Sequence, residues 1–426
     1  MNELRYKELE TKFKVCYPDI DNATYISPVN YSDDLSISKQ RWYRYKEGFS
    51  VKLVEDLIKK YSSSKNGIIL DPFLGSGTTI IGSNVCGFDG IGFEVNPFTN
   101  FLASAKIKNY PSNFSEQFIN KVNKILGSNL EMVEEYPLPN LSFAHKVFDD
   151  DIRKSFMKIR TLINKETGDI KNLLLLGWLS SLEELSNYRK GGNGLKFKKS
   201  IRHKSFDVVD TLKKKYLNIY EDLKTDTSHV QIFNNSIIKD SSLNLCNYVE
   251  KESIVGAIFS PPYANCFDYT EIYKLELWFG EFVQNREEVK SLRNFALRSN
   301  LNYKSINHVH GTKEIDIFID DMDESLWDKR IPNMLRGYFD DMFTVIDNLK
   351  IVLKTGGFCC IVVGNSTYGG VVVPTDLLLA DYAKNNGFIV DCVDVYRYII
   401  PSSQQYEKTK CMRKYIRESV VCLIKK

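Results

Sequence analysis

The sequence predicts an α/β protein with a doubly wound, mostly parallel sheet and a large helical insertion. A strand, a glycine turn, a helix and a second strand follow one another between residues 68 and 94. This order is a βαβ unit, which crosses over with a right hand in nearly all proteins. A buried strand at 254–259 ends in two prolines, and further strand-like runs lie at 357–363, 388–390 and 419–424. Residues 112–230 have mostly helical and loop patterns, so we expect them to interrupt one sheet.

The composition is that of an ordinary globular protein. Of the 426 residues, 43% are hydrophobic and 26% are charged, with a net charge of +3. No run approaches the ~20 apolar residues of a membrane span, and the first residues lack the apolar core of a signal peptide. Nine cysteines without a Cys-x-x-Cys pair indicate reduced thiols. We therefore expect a cytoplasmic protein without a metal site.

The first part of the chain divides at about residue 41. Residues 1–40 have weak hydrophobic periodicity and many polar side chains, so we expect an arm with little structure of its own. From Arg41 to Lys60, apolar residues recur at helical spacing. This stripe predicts a helix before the first strand, with one buried face formed by Val51, Leu53, Val54, Leu57 and Ile58.

The first βαβ unit carries a candidate site for a nucleoside cofactor. Gly75 and Gly77 permit a tight turn after the strand, and the next helix offers free N–H groups to an anion. Glu94 ends the second strand, where a carboxylate can accept both hydroxyls of a ribose. The same logic suits a dinucleotide, but the spacing departs from Gly-x-Gly-x-x-Gly. A plain strand-to-helix turn is the alternative.

The strand at 254–259 ends in Ser260-Pro261-Pro262-Tyr263. Prolines cannot continue a central ladder, so the chain must leave the sheet there. The turn places a hydroxyl and a flat ring at the carboxyl edge, where open α/β sheets bind ligands. A closed turn with an exposed tyrosine is the alternative, and the glycine motif upstream argues against it.

These motifs resemble the two signatures of S-adenosylmethionine-dependent amino-methyltransferases, which methylate exocyclic amines of nucleic-acid bases. The run from Asp71 to Thr79, Asp-Pro-Phe-Leu-Gly-Ser-Gly-Thr-Thr, resembles their cofactor motif. Glu94-Val-Asn-Pro resembles their ribose-binding position, and Asp240 the position that meets the adenine amino group. Residues 41–50 resemble the segment that closes over the methionine end. The resemblance implies S-adenosyl-L-methionine as cofactor and a binding set of Phe49, Ser50, Asp71, Phe73, Gly75, Ser76, Gly77, Thr78, Glu94 and Asp240.

The resemblance makes Ser260, Pro261, Pro262 and Tyr263 the catalytic residues. An exocyclic amine is a poor nucleophile, and two acceptors aimed at its N–H bonds favour the tetrahedral form that attacks a methyl group. The Ser260 hydroxyl and the Pro261 carbonyl can supply that pair, Pro262 stiffens the turn, and Tyr263 can stack on the base. In this family, Ser before Pro-Pro occurs mainly in cytosine-N4 enzymes, and Asp or Asn in adenine-N6 enzymes. We expect cytosine-N4 methylation, with adenine-N6 as the alternative.

A basic stretch is the candidate DNA contact. Between Ser186 and Lys204 there are seven Lys or Arg residues and no Asp or Glu. Such side chains neutralise phosphates, whereas a solvated loop is the alternative. The target base must be flipped out of a duplex to reach a pocket. The candidate DNA-binding residues are Arg189, Lys190, Lys196, Lys198, Lys199 and Arg202.

The sequence thus predicts a site-specific DNA methyltransferase of a restriction-modification or phage-defence system, with a cognate restriction enzyme as a possible partner. An RNA (tRNA) base methyltransferase and a binding subunit without turnover are the alternatives. The predicted divisions are an arm at 1–40, the cofactor-binding half of a Rossmann-like methyltransferase domain at 41–110, a helical target-recognition insertion at 111–235, and the catalytic half at 236–426.

Overall fold

The computed structural model describes residues 2–19, 28–30, 34, 36–46, 48–192, 194–198, 207–225, 233–303, 308–322, 326–400 and 403–426. The helices in these ranges are α1 Asn2–Glu10, α2 Val51–Tyr61, α3 Thr78–Val85, α4 Pro97–Ile107, α5 Phe114–Leu126, α6 Asp150–Asn164, α7 Gly168–Ser180, α8 Leu182–Leu185, α9 Val208–Thr225, α10 Tyr269–Ile272, α11 Lys274–Phe279, α12 Arg286–Phe295, α13 Lys313–Asp320, α14 Ile331–Val352, α15 Thr375–Asn385 and α16 Ser403–Tyr406. The strands are β1 Val15–Cys16, β2 Ile68–Asp71, β3 Asp89–Phe93, β4 Tyr188–Gly191, β5 Gly194–Phe197, β6 Ser236–Ile238, β7 Ile254–Phe259, β8 Leu353–Gly364, β9 Ser366–Tyr368, β10 Val371–Val373, β11 Phe388–Tyr398 and β12 Arg417–Lys425.

One eight-stranded sheet organises the fold, in the order β1-β11-β12-β8-β7-β2-β3-β6. The strands from β8 to β6 are parallel, whereas β12 runs antiparallel to both of its neighbours. The predicted α/β class, with a mostly parallel sheet, is confirmed. β7 is buried along its whole length and pairs with β2 on one side and β8 on the other. Because β2 and β7 are parallel neighbours, the glycine turn and the double-proline turn leave the sheet side by side.

The helix predicted before the first strand begins later than expected. Ser50 caps α2, with its side chain accepting a hydrogen bond from the Leu53 amide, and the predicted apolar stripe is buried. Residues 40–42 form a 3₁₀ turn, and residues 43–46 and 48–50 are not helical. The non-helical segment ahead of α2 can therefore cross the edge of the sheet instead of extending the helix.

The predicted N-terminal arm is wrong for the described residues. Tyr6 of α1 is fully buried, with its ring 4.8 Å from that of Tyr415, and β1 adds an edge strand beside β11. Glu10 lies 2.9 Å from the Arg417 guanidinium, which also donates to Asp376 at 2.8 Å. These partners lie at the other end of the sequence, so local periodicity does not reveal that the segment packs into the core.

The helical insertion contains α5 to α9 and has its own apolar core, in which Phe156 stacks on Trp178 at 4.2 Å. This core continues into residues 267–283, the segment that follows the double-proline turn. The basic stretch, predicted as a loop, forms the antiparallel hairpin β4–β5, with Arg189 opposite Lys196. A second group of short helices, α10 to α13, lies between β7 and α14.

Within the described ranges, no helix is long and apolar enough to cross a membrane. The same residues hold no group of three or more His, Cys, Asp or Glu side chains that could bind a metal ion.

Candidate active site

A single cavity at the carboxyl edge of the sheet joins the two motifs. It measures about 970 Å³ with its open mouth included. The glycine turn after β2 contributes Gly75 and Ser76, and the turn after β7 contributes Ser260 and Pro262. The predicted cofactor residues that line it are Phe49, Asp71, Phe73, Gly75, Ser76, Thr78, Glu94 and Asp240.

The glycine turn brings backbone close to the cavity. Gly75 and Gly77 have φ values of +53° and +88°, which side chains other than glycine rarely adopt. A Cβ added at Gly75 would lie 2.9 Å from the Tyr45 hydroxyl oxygen, so the Tyr45 side chain lies directly over this turn. Gly77 precedes α3 without a side-chain cap, which leaves the first N–H groups of the helix to other acceptors.

Glu94 is held by backbone amides on both of its carboxylate oxygens. Oε2 accepts from the Gly75 amide at 2.8 Å and Oε1 from the Asn96 amide at 2.7 Å. Burial raises the pKa of Glu94 to about 7, against the lowering effect of these hydrogen bonds. The carboxylate thus ties the glycine turn to the end of β3 and still has lone pairs that face the cavity.

Asp71 supports the turn from below. Its Oδ2 accepts from the Thr79 hydroxyl at 2.5 Å and its Oδ1 from the Phe73 amide at 2.8 Å, so it links the end of β2 to the start of α3. Burial raises the pKa of Asp71 to about 7. The charge of Asp71 makes a smaller contribution that also raises the pKa of Glu94.

Asp240 lies at the far side of the cavity, after β6. The Tyr248 hydroxyl donates to its Oδ2 at 2.6 Å, and this bond is the main cause of a lowered Asp240 pKa. The Ser241 amide donates to Oδ1 at 2.6 Å. Asp240 therefore stays ionised and oriented as an acceptor at the rim of the cavity.

Ser260 and Tyr263 form a short hydrogen-bond chain. The Ser260 hydroxyl donates to the Tyr263 oxygen at 3.4 Å, and the Tyr263 hydroxyl donates to Glu418 Oε1 at 2.5 Å. Glu418 also accepts from the Arg397 guanidinium. The Tyr263 ring packs where Gly364 lacks a side chain, since a Cβ there would lie 2.9 Å from the ring. Burial, followed by the Glu418 charge, raises the pKa of Tyr263, so its phenol keeps the proton.

Four of the predicted site residues do not line the cavity. Ser50 caps α2, and Gly77 packs against Ala103 of α4. Pro261 is buried, and the Tyr263 ring lies in its slot beside Gly364. Ser50 and Gly77 thus shape the surrounding backbone. For Tyr263, stacking on a base stays a prediction.

Sequence reasoning missed one wall of the cavity. Leu292, Phe295 and Leu297 line it from the end of α12 and the turn that follows. Arg293, on the same helix, donates to Asp268 at 2.8 Å and to Glu271 at 2.7 Å, which fastens this wall to the chain after the double-proline turn. The Phe295 side chain is 54% exposed at the cavity mouth. No motif marks these residues, so only the fold reveals them.

The predicted DNA-binding residues separate into different environments. Arg189 and Lys196 are exposed on the hairpin. The Lys190 side chain is only 5% exposed and pairs with Glu276 at 2.6 Å, so its prediction as a phosphate contact is wrong. Lys198 donates to the backbone carbonyls of Glu183 and Ser186 at 2.7 and 2.6 Å. Its ammonium therefore connects the end of the hairpin to the chain just before it. Lys199 and Arg202 lie outside the described residues.

Comparison with known proteins finds similarity to DNA methyltransferases. A family model described as DNA methylase matches residues 6–102, which include the glycine turn and Glu94. The Type II methyltransferase M.BsoBI of Geobacillus stearothermophilus is 27% identical over 411 residues, covering 84% of this chain and 80% of that protein. The Type II methyltransferase M.AvaI of Nostoc sp. is 28% identical over 401 residues, covering 85% and 82%. These similarities support an S-adenosylmethionine-dependent DNA amino-methyltransferase of the N4/N6 family.

A shorter similarity connects this amino-methyltransferase to an archaeal relative. The Type II methyltransferase M.MjaII of Methanocaldococcus jannaschii is 32% identical over 122 residues, which are 29% of this chain and 20% of that protein. Amino-methyltransferases of this family act on DNA with S-adenosylmethionine as methyl donor.

The residues of the cavity fit that cofactor. Glu94 offers acceptors to hydroxyl groups, the uncapped start of α3 offers N–H donors to a carboxylate, and Asp240 offers an acceptor to an amino group. These three features line one cavity in the amino-methyltransferase, at separate points around it.

Proposed function

We propose that this DNA methyltransferase transfers the methyl group to the exocyclic N4 of cytosine at a specific site. The observation that carries the proposal is that Ser260 and Gly75 line one cavity, which puts an amine acceptor beside the cofactor turn. The serine before Pro-Pro favours cytosine over adenine, and adenine N6 is the second candidate because its amine has the same two N–H bonds.

Ser260 is proposed to hold the target amine in its reactive geometry. Its own hydrogen points to Tyr263, so its lone pairs are free to accept an N–H of the base. A second acceptor, the Pro261 carbonyl, is proposed to take the other N–H and favour a tetrahedral nitrogen. Bound S-adenosylmethionine supplies an electrophilic methyl group on its sulfonium. As the nitrogen forms the new bond to that carbon, the carbon–sulfur bond breaks and its electron pair stays on the sulfur of the departing thioether. The methylated amine then releases its extra proton to solvent.

The binding roles around the cofactor follow from the same geometry. Glu94 is proposed to accept the ribose hydroxyls, Asp240 the adenine amino group, and the first N–H groups of α3 the methionine carboxylate. Phe49 and Tyr45 also line the cavity and are proposed to exclude water from the reacting centre.

Cofactor binding is expected to weaken as the pH falls through 7. Ribose hydroxyls need ionised Glu94, whose pKa is about 7, so binding favours the deprotonated form and releases a proton. The affinity should fall about tenfold between pH 8 and pH 6. Calorimetry in two buffers of different ionisation enthalpy measures both the affinity and the released proton. A flat affinity profile without proton release would contradict the role given to Glu94.

The target base is proposed to leave the duplex before it reaches Ser260, because a base inside a duplex cannot enter a cavity of the protein. Arg189 and Lys196 are proposed to contact the phosphate backbone from the hairpin. The relatives are Type II methyltransferases, so we propose that this chain works beside a cognate restriction enzyme.

The decisive test is mass spectrometry of DNA after incubation with the protein and isotopically labelled S-adenosylmethionine. We expect labelled N4-methylcytosine in genomic DNA that lacks this modification, and none in tRNA offered at the same concentration. Labelled N6-methyladenine would replace the proposal with the second candidate. Absence of label from both of these DNA nucleosides would contradict both candidate functions.

Tyr263→Ala is expected to lower turnover by about 10- to 100-fold while cofactor affinity persists, because base stacking on an aromatic ring contributes about 1–3 kcal/mol. Tyr263→Phe keeps the ring but loses both the bond to Glu418 and the acceptor for the Ser260 hydroxyl, so it should retain more activity than the alanine variant. Steady-state kinetics and calorimetry separate the two effects. Loss of cofactor affinity in the alanine variant would contradict the stacking role.

A further inference from the structure

Lys190 is the one residue of the basic hairpin that turns completely inward. It alternates with Arg189 along β4, so one side chain faces solvent and the next faces the interior. The Lys190 ammonium lies 2.6 Å from Glu276 Oε1, and the two side chains are 5% and 1% exposed. Burying an ion pair this deeply costs folding free energy unless the geometry is good and further hydrogen bonds satisfy both groups. The role of the Lys190–Glu276 pair therefore depends on the side chains that it contacts.

The buried pair organises two tyrosines. The Lys190 ammonium donates to the Tyr43 hydroxyl, which in turn donates to Glu276 Oε1 at 2.7 Å. The same ammonium lies 4.8 Å from the ring centre of Tyr43 and 4.7 Å from that of Tyr273. A cation held over two rings stabilises their positions. The pair therefore fixes both rings relative to the hairpin.

Tyr273 connects the buried ion pair to the cavity. Its ring stacks on that of Tyr45 at 5.6 Å with an interplanar angle of 7°. Its hydroxyl accepts from the Lys46 amide at 3.1 Å and donates to the Lys46 carbonyl at 3.2 Å, which fixes the backbone next to Tyr45. Tyr45 lines the cavity and places its hydroxyl over Gly75. A continuous chain of contacts thus joins β4 to the cover of the cofactor turn.

We propose that Lys190 is a positioning residue: with Glu276 it fixes Tyr43 and Tyr273 and thereby holds Tyr45 over the cofactor turn. The hairpin that presents Arg189 to solvent is then mechanically joined to the cofactor cavity. This inference rests on the proposed assignment of the cavity to S-adenosylmethionine. It also explains why a lysine in a basic stretch is withdrawn from solvent.

The test uses the double variant Lys190→Met/Glu276→Gln in the full chain. Lys190→Met alone would strand the Glu276 charge, whose Oε2 has no partner among the described residues, and would destabilise the fold. The double variant removes both charges and keeps an acceptor for Tyr43. The matched control is Lys121→Met/Glu166→Gln, which removes another ion pair of the insertion, 2.8 Å long and outside the cavity lining.

We expect the affinity for S-adenosylmethionine, measured by calorimetry without DNA, to fall about tenfold in the Lys190/Glu276 variant and less than twofold in the control. In a Tyr45→Ala background, the Lys190/Glu276 change should add less than twofold, because both changes disturb the same contact. Melting temperatures show that each variant is folded.

The outcomes separate the two proposals. Unchanged affinity in the folded double variant, or losses that add fully to that of Tyr45→Ala, would overturn the positioning role while leaving the cofactor site in place. Absence of S-adenosylmethionine binding by the unaltered protein would overturn the cofactor assignment and the inference together.

Discussion

Ser260→Ala is expected to lower turnover by about 100- to 1000-fold, the usual effect of removing one preorganised hydrogen-bonding group from a reacting centre. The methyl side chain cannot accept the N–H of the target amine, so the nitrogen keeps its planar, delocalised form. The change is small and lies at the carboxyl end of β7, where the backbone is fixed by parallel pairing on both sides. The loss should therefore appear in the rate and not in the stability.

Single-turnover kinetics with labelled cofactor measure this loss directly. Cofactor affinity should stay within twofold, because the proposed cofactor roles belong to residues that follow β2, β3 and β6. The matched control is Ser253→Ala at the amino end of the same strand, where the hydroxyl donates only to the Glu250 carbonyl. Turnover by Ser260→Ala within threefold of the unaltered enzyme would rule out the acceptor role.

The predicted site residues that line the cavity each come from one short stretch of chain. The glycine turn, Glu94 and Ser260 each lie at the end of a strand, and each has a residue type suited to a binding site at that position. Parallel pairing of β2 with β7 then brings the two turns into one cavity. The fold class can be predicted from signals of the same local kind, because a strand and the helix that follows it each have a characteristic hydrophobic periodicity.

The parts that sequence missed depend on partners far along the chain. Lys190 looks like any lysine of a basic stretch until Glu276 is placed beside it. In the sequence, Tyr6 is flanked by polar residues and would be expected on the surface. In the structure, its ring packs against those of Phe318 and Tyr415. The wall at Leu292 and Phe295 has no motif, since its role comes only from where Arg293 holds α12. Period and propensity describe neighbours in sequence, whereas these residues are defined by neighbours in space.

Glu94→Ala is expected to weaken S-adenosylmethionine binding by about 100-fold, since hydrogen bonds to a charged group contribute about 1.5–3 kcal/mol each. Two effects combine in this value. The ribose hydroxyls lose their charged acceptor, and the amides of Gly75 and Asn96 lose theirs, which frees the glycine turn to move. Turnover at saturating cofactor should fall far less than affinity, in contrast to Ser260→Ala.

Glu94→Gln distinguishes the two effects. A glutamine has one acceptor oxygen, so its amide nitrogen would face an N–H of either Gly75 or Asn96, and the turn would still be disturbed. We therefore expect Gln to restore little of the affinity and to abolish the dependence of binding on pH near 7. The matched control is Asp89→Asn at the amino end of the same strand, where Oδ1 accepts from the Asn234 amide and an amide oxygen can replace it. Equal affinities in Glu94→Ala and Asp89→Asn would show that the cofactor does not meet this carboxylate.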